Sequence, residues 1–329
     1  MLLSVVCKHY VDLKAEPAGY GKDIRPAFAR IQQVLKDKLQ RPPKVADLTR
    51  MNQRHLMKAI VDEGLRSSTA QKHLAYIRSA VNFAAEPQIV EIDGEDVEIC
   101  ILRFAPKIFT GVEEIEKTTG QPVLQKRGDV PTFRQMAEWI DSLDTDEEFR
   151  YAIIGLNTWA RPGAIMDLHV SDQVDFNIGL VDLNPPGRAQ NRKRRPVIRL
   201  TENLRGWLQS WGDDHPMALS EHSDNFMKRI NTRKAGIVRY TLRHFMATRI
   251  RRIEFGDRTL RVSKEQRSLW LGHDVSEGSQ TTDWYEQFDP EYLSEALQGT
   301  DLIMRKLDAK AKKTLFAPTA HPRSVKNAS

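Results

Sequence analysis

Arginine residues in the second half of the chain could bind a phosphate group. Arg161 follows an apolar segment that ends in Trp159, and Arg243 lies in the helix-like sequence YTLRHFMATRI. A guanidinium group can bond two phosphate oxygens at once and keeps its charge at any working pH. A phosphodiester can be cleaved without a metal ion if such cations neutralise the developing charge and a nucleophile is aligned with phosphorus. A site of this kind needs arginines from separate rigid segments, and the second half of the chain contains such a set.

Basic residues are concentrated in two tracts. No acidic residue occurs between Asp182 and Glu202, and a second basic tract extends from Lys228 to Arg252. The basic residues of the first tract are Arg188, Arg192, Lys193, Arg194, Arg195 and Arg199. With a formal net charge of +6, the chain could bind a polyanion. Such tracts also occur as solvated faces or loops, so charge alone leaves both interpretations open.

Elements that could position these residues follow from hydrophobic periodicity. We predict helices at residues 24–38, 47–64 and 69–85, the last with Leu74, Ile77, Val81 and Ala84 on one face. The alternating segment after Pro87 contains Asp93-Gly94, a strong hairpin signal. Residues 1–110 are thus predicted to be a helical domain with a β-hairpin insertion near 88–104.

A polar segment at 111–131, interrupted by Gly and Pro, is predicted to be an interdomain linker. We predict a second domain at 132–316 and a flexible tail at 317–329. In the second domain, helices are predicted at 133–143 and 149–160, short strands within 174–200, and helices again from about residue 224. The predicted fold class is mainly α with a small antiparallel β-sheet in the second domain.

Five sequence segments of the second domain occur in a characteristic order. They are WARPGAIMDL, RKRRPVIRL, YTLRHFMATRI, WLGHDV and TTDWYEQF. In order and spacing they resemble the catalytic domain of the tyrosine recombinase, or phage integrase, family over about residues 132–300. The helical first part is similar to the core-binding domain of that family in placement and character. The resemblance implies a two-domain clamp around DNA.

The resemblance also implies a role for each matching residue. Arg161 and Arg243 would hold the scissile phosphate, and His273 would donate a hydrogen bond to it. Tyr285 would be the nucleophile. Lys193, in the basic turn between two strands, would protonate the departing 5′ oxygen. Tyr292 is a second candidate nucleophile, although its sequence context favours a packed residue at the start of a helix.

The chain departs from the family pattern at two positions. Ala164 stands where the family usually has an acidic residue. Tyr240 stands where most members have a histidine that takes part in proton transfer. Because a phenol is a poor base at neutral pH, we expect Tyr240 to position the phosphate instead. The neighbouring His244 is expected to be a buried structural residue.

The basic turn leaves the identity of the general acid open. Lys193 fits best, but Arg188, Arg192 and Arg194 make its register uncertain. We expect Arg188, Arg192, Arg194 and Arg195 to contact the DNA backbone.

The implied reaction needs neither a cofactor nor a metal. Attack by the tyrosine gives a 3′-phosphotyrosine and a free 5′ hydroxyl, and a 5′ hydroxyl of a partner strand then reverses the step. The expected partner is double-stranded DNA, bound by a homotetramer, with an accessory directionality protein as a further option. Two alternatives stay open: relaxation of supercoiled DNA by a type IB topoisomerase, and a non-catalytic, sequence-specific DNA-binding regulator on the same scaffold.

Cysteine content and hydrophobicity indicate the cellular location of the protein. The two cysteines, Cys7 and Cys100, lack nearby Cys or His at ligand spacing, so neither a disulfide framework nor a zinc site is indicated. No stretch approaches the length of a membrane span, and the first residues lack the pattern of an export signal. We expect a cytoplasmic, nucleoid-associated protein of bacterial or phage origin.

Overall fold

The computed structural model describes residues 1–123, 130–190, 194–234, 236–273, 289 and 291–317. The chain divides into two compact units, Met1–Arg127 and Gly128–Ser329. It is mainly helical with small antiparallel sheets, which confirms this part of the predicted fold class. Within the described ranges, no helix is both long and apolar enough to cross a bilayer.

The first unit contains five α-helices among its described residues. They are α1 (Leu3–Tyr10), α2 (Gly21–Leu39), α3 (Arg50–Asp62), α4 (Ser67–Ala85) and α5 (Val112–Thr119), with a π-helical turn at Val11–Ala15 and a 3-10 turn at Val45–Asp47. The predicted apolar face of α4 is buried, which fixes this helix in the core. At the start of α3, the Thr49 side chain accepts a hydrogen bond from the backbone N–H of Asn52, as expected of a helix N-cap.

A β-hairpin follows α4, as predicted. Strands β1 (Gln88–Ile92) and β2 (Glu95–Ile99) pair antiparallel, with Ile92 opposite Glu95. The turn residues Asp93 and Gly94 have φ of +53° and +83°. Two successive positive φ values are required by the tight turn that matches the twist of paired strands. The pairing ends at Ile99, short of the predicted limit at residue 104.

The prediction that residues 111–131 form a linker is wrong for its first half. Helix α5 occupies Val112–Thr119, and the side chains of Ile115 and Val123 are buried in the core of the first unit. Glu114 forms ion pairs with Arg50 and Arg54 of α3. Ile115 and Val123 are too few to give this polar segment a helical hydrophobic periodicity. The sequence pattern therefore did not predict the helix.

The second unit contains nine α-helices among its described residues. They are α6 (Phe133–Asp141), α7 (Asp146–Thr158), α8 (Pro162–Met166), α9 (Val170–Gln173), α10 (Glu202–Trp211), α11 (Ser223–Thr232), α12 (Thr241–Arg249), α13 (Lys264–Trp270) and α14 (Ser294–Asp308). Capping boxes begin α6 at Thr132 and α7 at Thr145. Helix α10 begins well before residue 224, where helices were expected to resume.

Two antiparallel sheets accompany these helices. Strands β3 (Val174–Asp175), β4 (Leu180–Asp182) and β5 (Val197–Arg199) form the first in that order. Strands β6 (Ile253–Phe255) and β7 (Arg258–Leu260) form a hairpin in the region after residue 224, where the sequence predicted helices and no hairpin. Gly256, with φ of +62°, makes its turn.

Helix α7 lies in the centre of the second core and determines how closely its neighbours approach. A Cβ atom at Gly155 would lie 2.9 Å from Cδ1 of Leu242 and 3.0 Å from Cδ1 of Ile165. Glycine thus lets α12 and α8 pack directly on the backbone of α7. These two helices carry or adjoin the predicted clamp arginines.

Candidate functional site

The turn between α7 and α8 places Arg161. Trp159 ends α7 in a left-handed conformation with φ of +52°, which costs a non-glycine residue about 1–2 kcal/mol. Its ring packs on Trp270 with centroids 5.0 Å apart, and Trp270 Nε1 donates to the carbonyl of Thr158 at 3.0 Å. This burial holds the strained turn, and Arg161 then becomes the N-cap residue of α8.

Arg243 joins two segments that are distant in sequence. From α12, its Nη1 donates to the carbonyl of Trp159 at 2.8 Å, and its Nη2 donates to the carbonyl of Leu271 at 2.6 Å. The guanidinium plane is therefore fixed by the turn before α8 and by the end of α13. An arginine held in this way loses little conformational entropy when it bonds two oxygens of an anion.

The segment before β5 reaches the site through the backbone carbonyl of Arg194. Arg161 Nη1 donates to this oxygen at 2.9 Å. Gly272, with φ of +64°, lies so close that a Cβ atom there would be 2.5 Å from the same oxygen and 2.8 Å from Cδ of Pro196. His273 directly follows this contact. The chain before β5, the start of α8 and the turn after α13 thus meet around one backbone atom.

Electrostatic effects show that the three predicted phosphate ligands lie near one another. The pKa of Arg243 is lowered to about 10, first by burial and then by the charge of Arg161, against an opposite effect of Tyr240. Burial also lowers the pKa of Arg161, with Arg195 and Arg188 acting in the same direction. The pKa of His273 is lowered by burial and then by Arg243 and Arg161. An anion at this cluster would relieve the repulsion among its cations.

Tyr240 lies at the edge of this cluster. It precedes α12, is 45% exposed, and acts electrostatically on both Arg161 and Arg243. Its ring lies under the guanidinium group of Arg239, 5.7 Å from the centroid. An exposed phenol beside two arginines can donate a hydrogen bond to an oxygen of the same anion.

Ala164, where the resemblance predicts an acidic residue, has no carboxylate to offer the two arginines. Ala164 is buried, only 2% exposed. Within the part of the chain that the structure describes, the side chains of Arg161 and Arg243 hydrogen-bond to carbonyl oxygens and form no ion pair with a carboxylate. Carbonyl dipoles orient the two guanidinium groups without cancelling their charge.

Arg188 and Arg195 have partners within the protein. Arg195 Nη2 pairs with Asp167 at 2.7 Å, and its side chain is only 13% exposed. Its Nη1 is buried without a hydrogen-bond partner among the described residues. Arg188 Nη1 donates to Oδ1 of Asn184 at 2.5 Å. Arg195 therefore anchors the loop before β5 to the end of α8, and direct DNA contact by either residue stays a prediction.

Three predicted site residues, Tyr285, Lys193 and Arg192, lie outside the described residues. The alternative nucleophile Tyr292 is half-buried, and its hydroxyl donates to the carbonyl of Val197 at 3.0 Å. His244 is half-buried within α12.

Sequence reasoning did not find the backbone groups that hold the site. The carbonyls of Trp159, Arg194 and Leu271 orient the two arginines, but a carbonyl carries no sequence signal of its own. Two positions near these carbonyls adopt positive φ, Trp159 and Gly272. Of the two, only the glycine is a residue type that suggests such a backbone conformation.

Replacing Gly272 with alanine is expected to destabilise the second unit by about 1–3 kcal/mol and to impair the site, because the new Cβ atom meets the Arg194 carbonyl. Gly256→Ala is the matched control, since that glycine also has positive φ but a Cβ atom there meets nothing within 4 Å. Urea unfolding of both variants separates backbone strain from the steric clash. Equal losses of unfolding free energy would show that the close approach at Arg194 does not matter.

A scan against protein-family models found no match for this chain. A search of the curated proteins also found no significant relative.

Proposed function

We propose that this protein is a site-specific DNA recombinase that cleaves and rejoins strands through a 3′-phosphotyrosine, as its resemblance to tyrosine recombinases implies. The observation that carries the proposal is the convergence of Arg161, Arg243 and His273. Their segments are far apart in sequence, yet Arg243 donates to the carbonyls of Trp159 and Leu271, each two residues before one of the other two side chains. The charge of Arg161 lowers the pKa of Arg243, and both arginines lower the pKa of His273.

The electrostatics of the cluster favour a phosphate as the bound group. Two guanidinium groups and one imidazole would face the equatorial oxygens of a phosphodiester, where charge grows during displacement at phosphorus. The imidazole of His273 can donate an N–H to one phosphate oxygen in either of its protonation states. The exposed hydroxyl of Tyr240 would add a further hydrogen bond, in keeping with a positioning role.

The chemical step would then proceed by displacement. A bond forms between the Tyr285 phenolic oxygen and phosphorus, the phenolic proton passes to water, and the bond from phosphorus to the 5′ oxygen breaks. Lys193 gives a proton to the departing 5′ oxygen. The phosphotyrosine preserves the energy of the phosphodiester, so the attack of a 5′ hydroxyl can reseal either the original or an exchanged strand.

The assembly belongs to the same proposal. The two units would enclose double-stranded DNA as a clamp, and four copies would act on two duplexes in the cytoplasm, at the nucleoid. Phosphate contacts would supply most of the affinity, and binding would therefore fall steeply with salt.

The test is the formation of a covalent adduct. DNA that the protein binds, carrying a nick near the cleavage point, lets the 5′ fragment diffuse away and traps the intermediate. Wild type is expected to give a complex that survives a denaturing gel and is linked to the 3′ end. Tyr285→Phe is expected to bind the same DNA equally and form none, because only the attacking oxygen is removed.

Tyr292→Phe is the matched control and should retain adduct formation. Absence of any adduct with wild type on a verified binding site would favour the non-catalytic regulator. An adduct that persists in Tyr285→Phe would remove that residue from its assigned role. A monomer that relaxes plasmid unaided would favour the topoisomerase.

A further inference from the structure

Two histidines and two aspartates meet at a surface of the second unit, where α9 begins beside the loop that follows α10. The ligand atoms of His169, Asp214 and His215 all lie within 4.8 Å of one another. His169 Nε2 is 2.9 Å from an oxygen of Asp214, and the rings of the two histidines have centroids 3.9 Å apart. The other nitrogen of His169, Nδ1, lies 2.6 Å from Asp172.

We propose that His169, Asp214 and His215 bind a divalent transition-metal ion, and that zinc suits the set best. Imidazole nitrogen and carboxylate oxygen are common zinc ligands, and three protein ligands leave a fourth position for water. The proposal is independent of the proposed DNA chemistry and involves none of the residues assigned to it.

The carboxylate of Asp214 is held in place before any ion binds. Its Oδ1 accepts from the backbone N–H of Ser171 at 2.7 Å, and its Oδ2 accepts from the Ser171 hydroxyl at 3.2 Å. The backbone carbonyl of Asp214 accepts from the N–H of Val170 at 2.8 Å. A carboxylate held by these bonds keeps its position whether or not an ion is bound, and a carboxylate is ionised at neutral pH, as a metal ligand must be.

Asp172 supplies the outer partner that metal-bound histidines commonly have. A carboxylate on Nδ1 fixes the tautomer of the imidazole, so that Nε2 presents its lone pair to the ion. Asp172 stands in this relation to His169 while Asp214 lies at Nε2. The arrangement is that of a carboxylate–histidine–metal triad.

The spacing requires only side-chain adjustment. Ligands at about 2.0–2.1 Å from tetrahedral zinc lie about 3.4 Å from one another. His169 and Asp214 are slightly closer than this, and the exposed side chain of His215 can rotate toward the ion. The loop that carries Asp214 and His215 is held in place by Arg150, which pairs with Asp213 and donates to the carbonyl of Pro216. Binding would join the start of α9 to the loop after α10.

The test is a calorimetric titration of ZnCl2 into the full chain, without an added polyhistidine tag and after removal of metal by a chelator. One ion per chain is expected, with micromolar or stronger affinity. His215→Asn should weaken binding at least tenfold, and Asp172→Asn about tenfold through the loss of orientation. His222→Asn is the matched control, because His222 is an exposed histidine of the same unit that caps α11 through Nδ1, as asparagine also can.

Cobalt substitution adds a spectroscopic readout. A wild-type complex with strong visible d–d absorption, absent from His215→Asn, would support a tetrahedral site. Circular dichroism should show the wild-type fold for His215→Asn, since that side chain is exposed. The proposal is overturned if wild type binds no zinc or if His215→Asn binds it as wild type does, and the contacts of His169 would then be ion pairs only.

Discussion

Replacing Arg243 with lysine is expected to lower the rate of strand cleavage by about 10²–10³-fold while DNA binding falls only a few-fold. Lysine keeps the positive charge but loses the planar fork. Arg243 uses two arms of that fork on the carbonyls of Trp159 and Leu271, which would set the direction in which the guanidinium group faces the phosphate of the proposed substrate. An ammonium group cannot reproduce both contacts and a bidentate phosphate bond.

The measurement compares covalent adduct formation on nicked DNA with DNA binding by fluorescence anisotropy. Arg252→Lys is the matched control, since Arg252 is an exposed arginine of the same unit whose ion pair with Glu254 is open to solvent. Urea unfolding of both variants establishes that the protein is folded under assay conditions. Cleavage by Arg243→Lys at the wild-type rate would mean that this arginine does not hold the scissile phosphate.

Replacing Glu148 with glutamine is expected to reduce the free energy of unfolding by about 3–5 kcal/mol. This side chain is completely buried, yet it accepts hydrogen bonds from Arg229 and from two nitrogens of Arg233. The backbone N–H groups of Asp144 and Thr145 donate to it as well. An amide in its place would remove the charge that compensates two arginines and would turn one acceptor into a donor.

Glu147→Gln is the matched control, because the adjacent carboxylate is partly exposed and lies 3.8 Å from Arg229. That change should cost about 1 kcal/mol or less, the usual value of a solvated pair. Urea unfolding at pH 7 checks both variants. A loss for Glu148→Gln no larger than that for Glu147→Gln would contradict the assigned role of the buried carboxylate.

The contribution of Glu148 to the free energy of unfolding should depend on pH. Burial raises its pKa, but the hydrogen bonds from Arg233, the two backbone groups and Arg229 outweigh it, so the folded pKa lies below the ordinary 4.5. A lowered pKa contributes stability that is fully present above 4.5 and is lost as the pH falls through the folded value. The difference in unfolding free energy between wild type and Glu148→Gln should therefore be constant near neutrality and shrink in strong acid.

Local patterns predicted the elements whose signals are carried by neighbouring residues. Helix α4 shows its apolar face in the spacing of Leu74, Ile77 and Val81, and the hairpin at Asp93-Gly94 is marked by its turn residues. Helix α5 and the β6–β7 hairpin escaped prediction. Each depends on a few apolar residues, such as Ile115 and Ile253. These residues are buried because helices that are far away in the sequence pack against them.

The candidate sites likewise combine features with a local sequence signal and features that only tertiary packing creates. The types and order of Arg161, Arg243 and His273 could be read from the sequence, because they stand in recognisable segments. The carbonyls that orient the arginines, and the meeting of His169 with Asp214 and His215, have no local signature, since each arises where segments far apart in the chain come together.

The sequence by itself determined the mainly helical composition of the chain and the set of residues proposed to act on a phosphate, since both are encoded in residue types and short spacings. Only the tertiary structure decided that Trp159 would adopt a left-handed turn under Trp270, that Gly272 would admit the Arg194 carbonyl, and that Arg195 would pair with Asp167. These outcomes depend on packing between separate segments, which spacing along one chain does not specify.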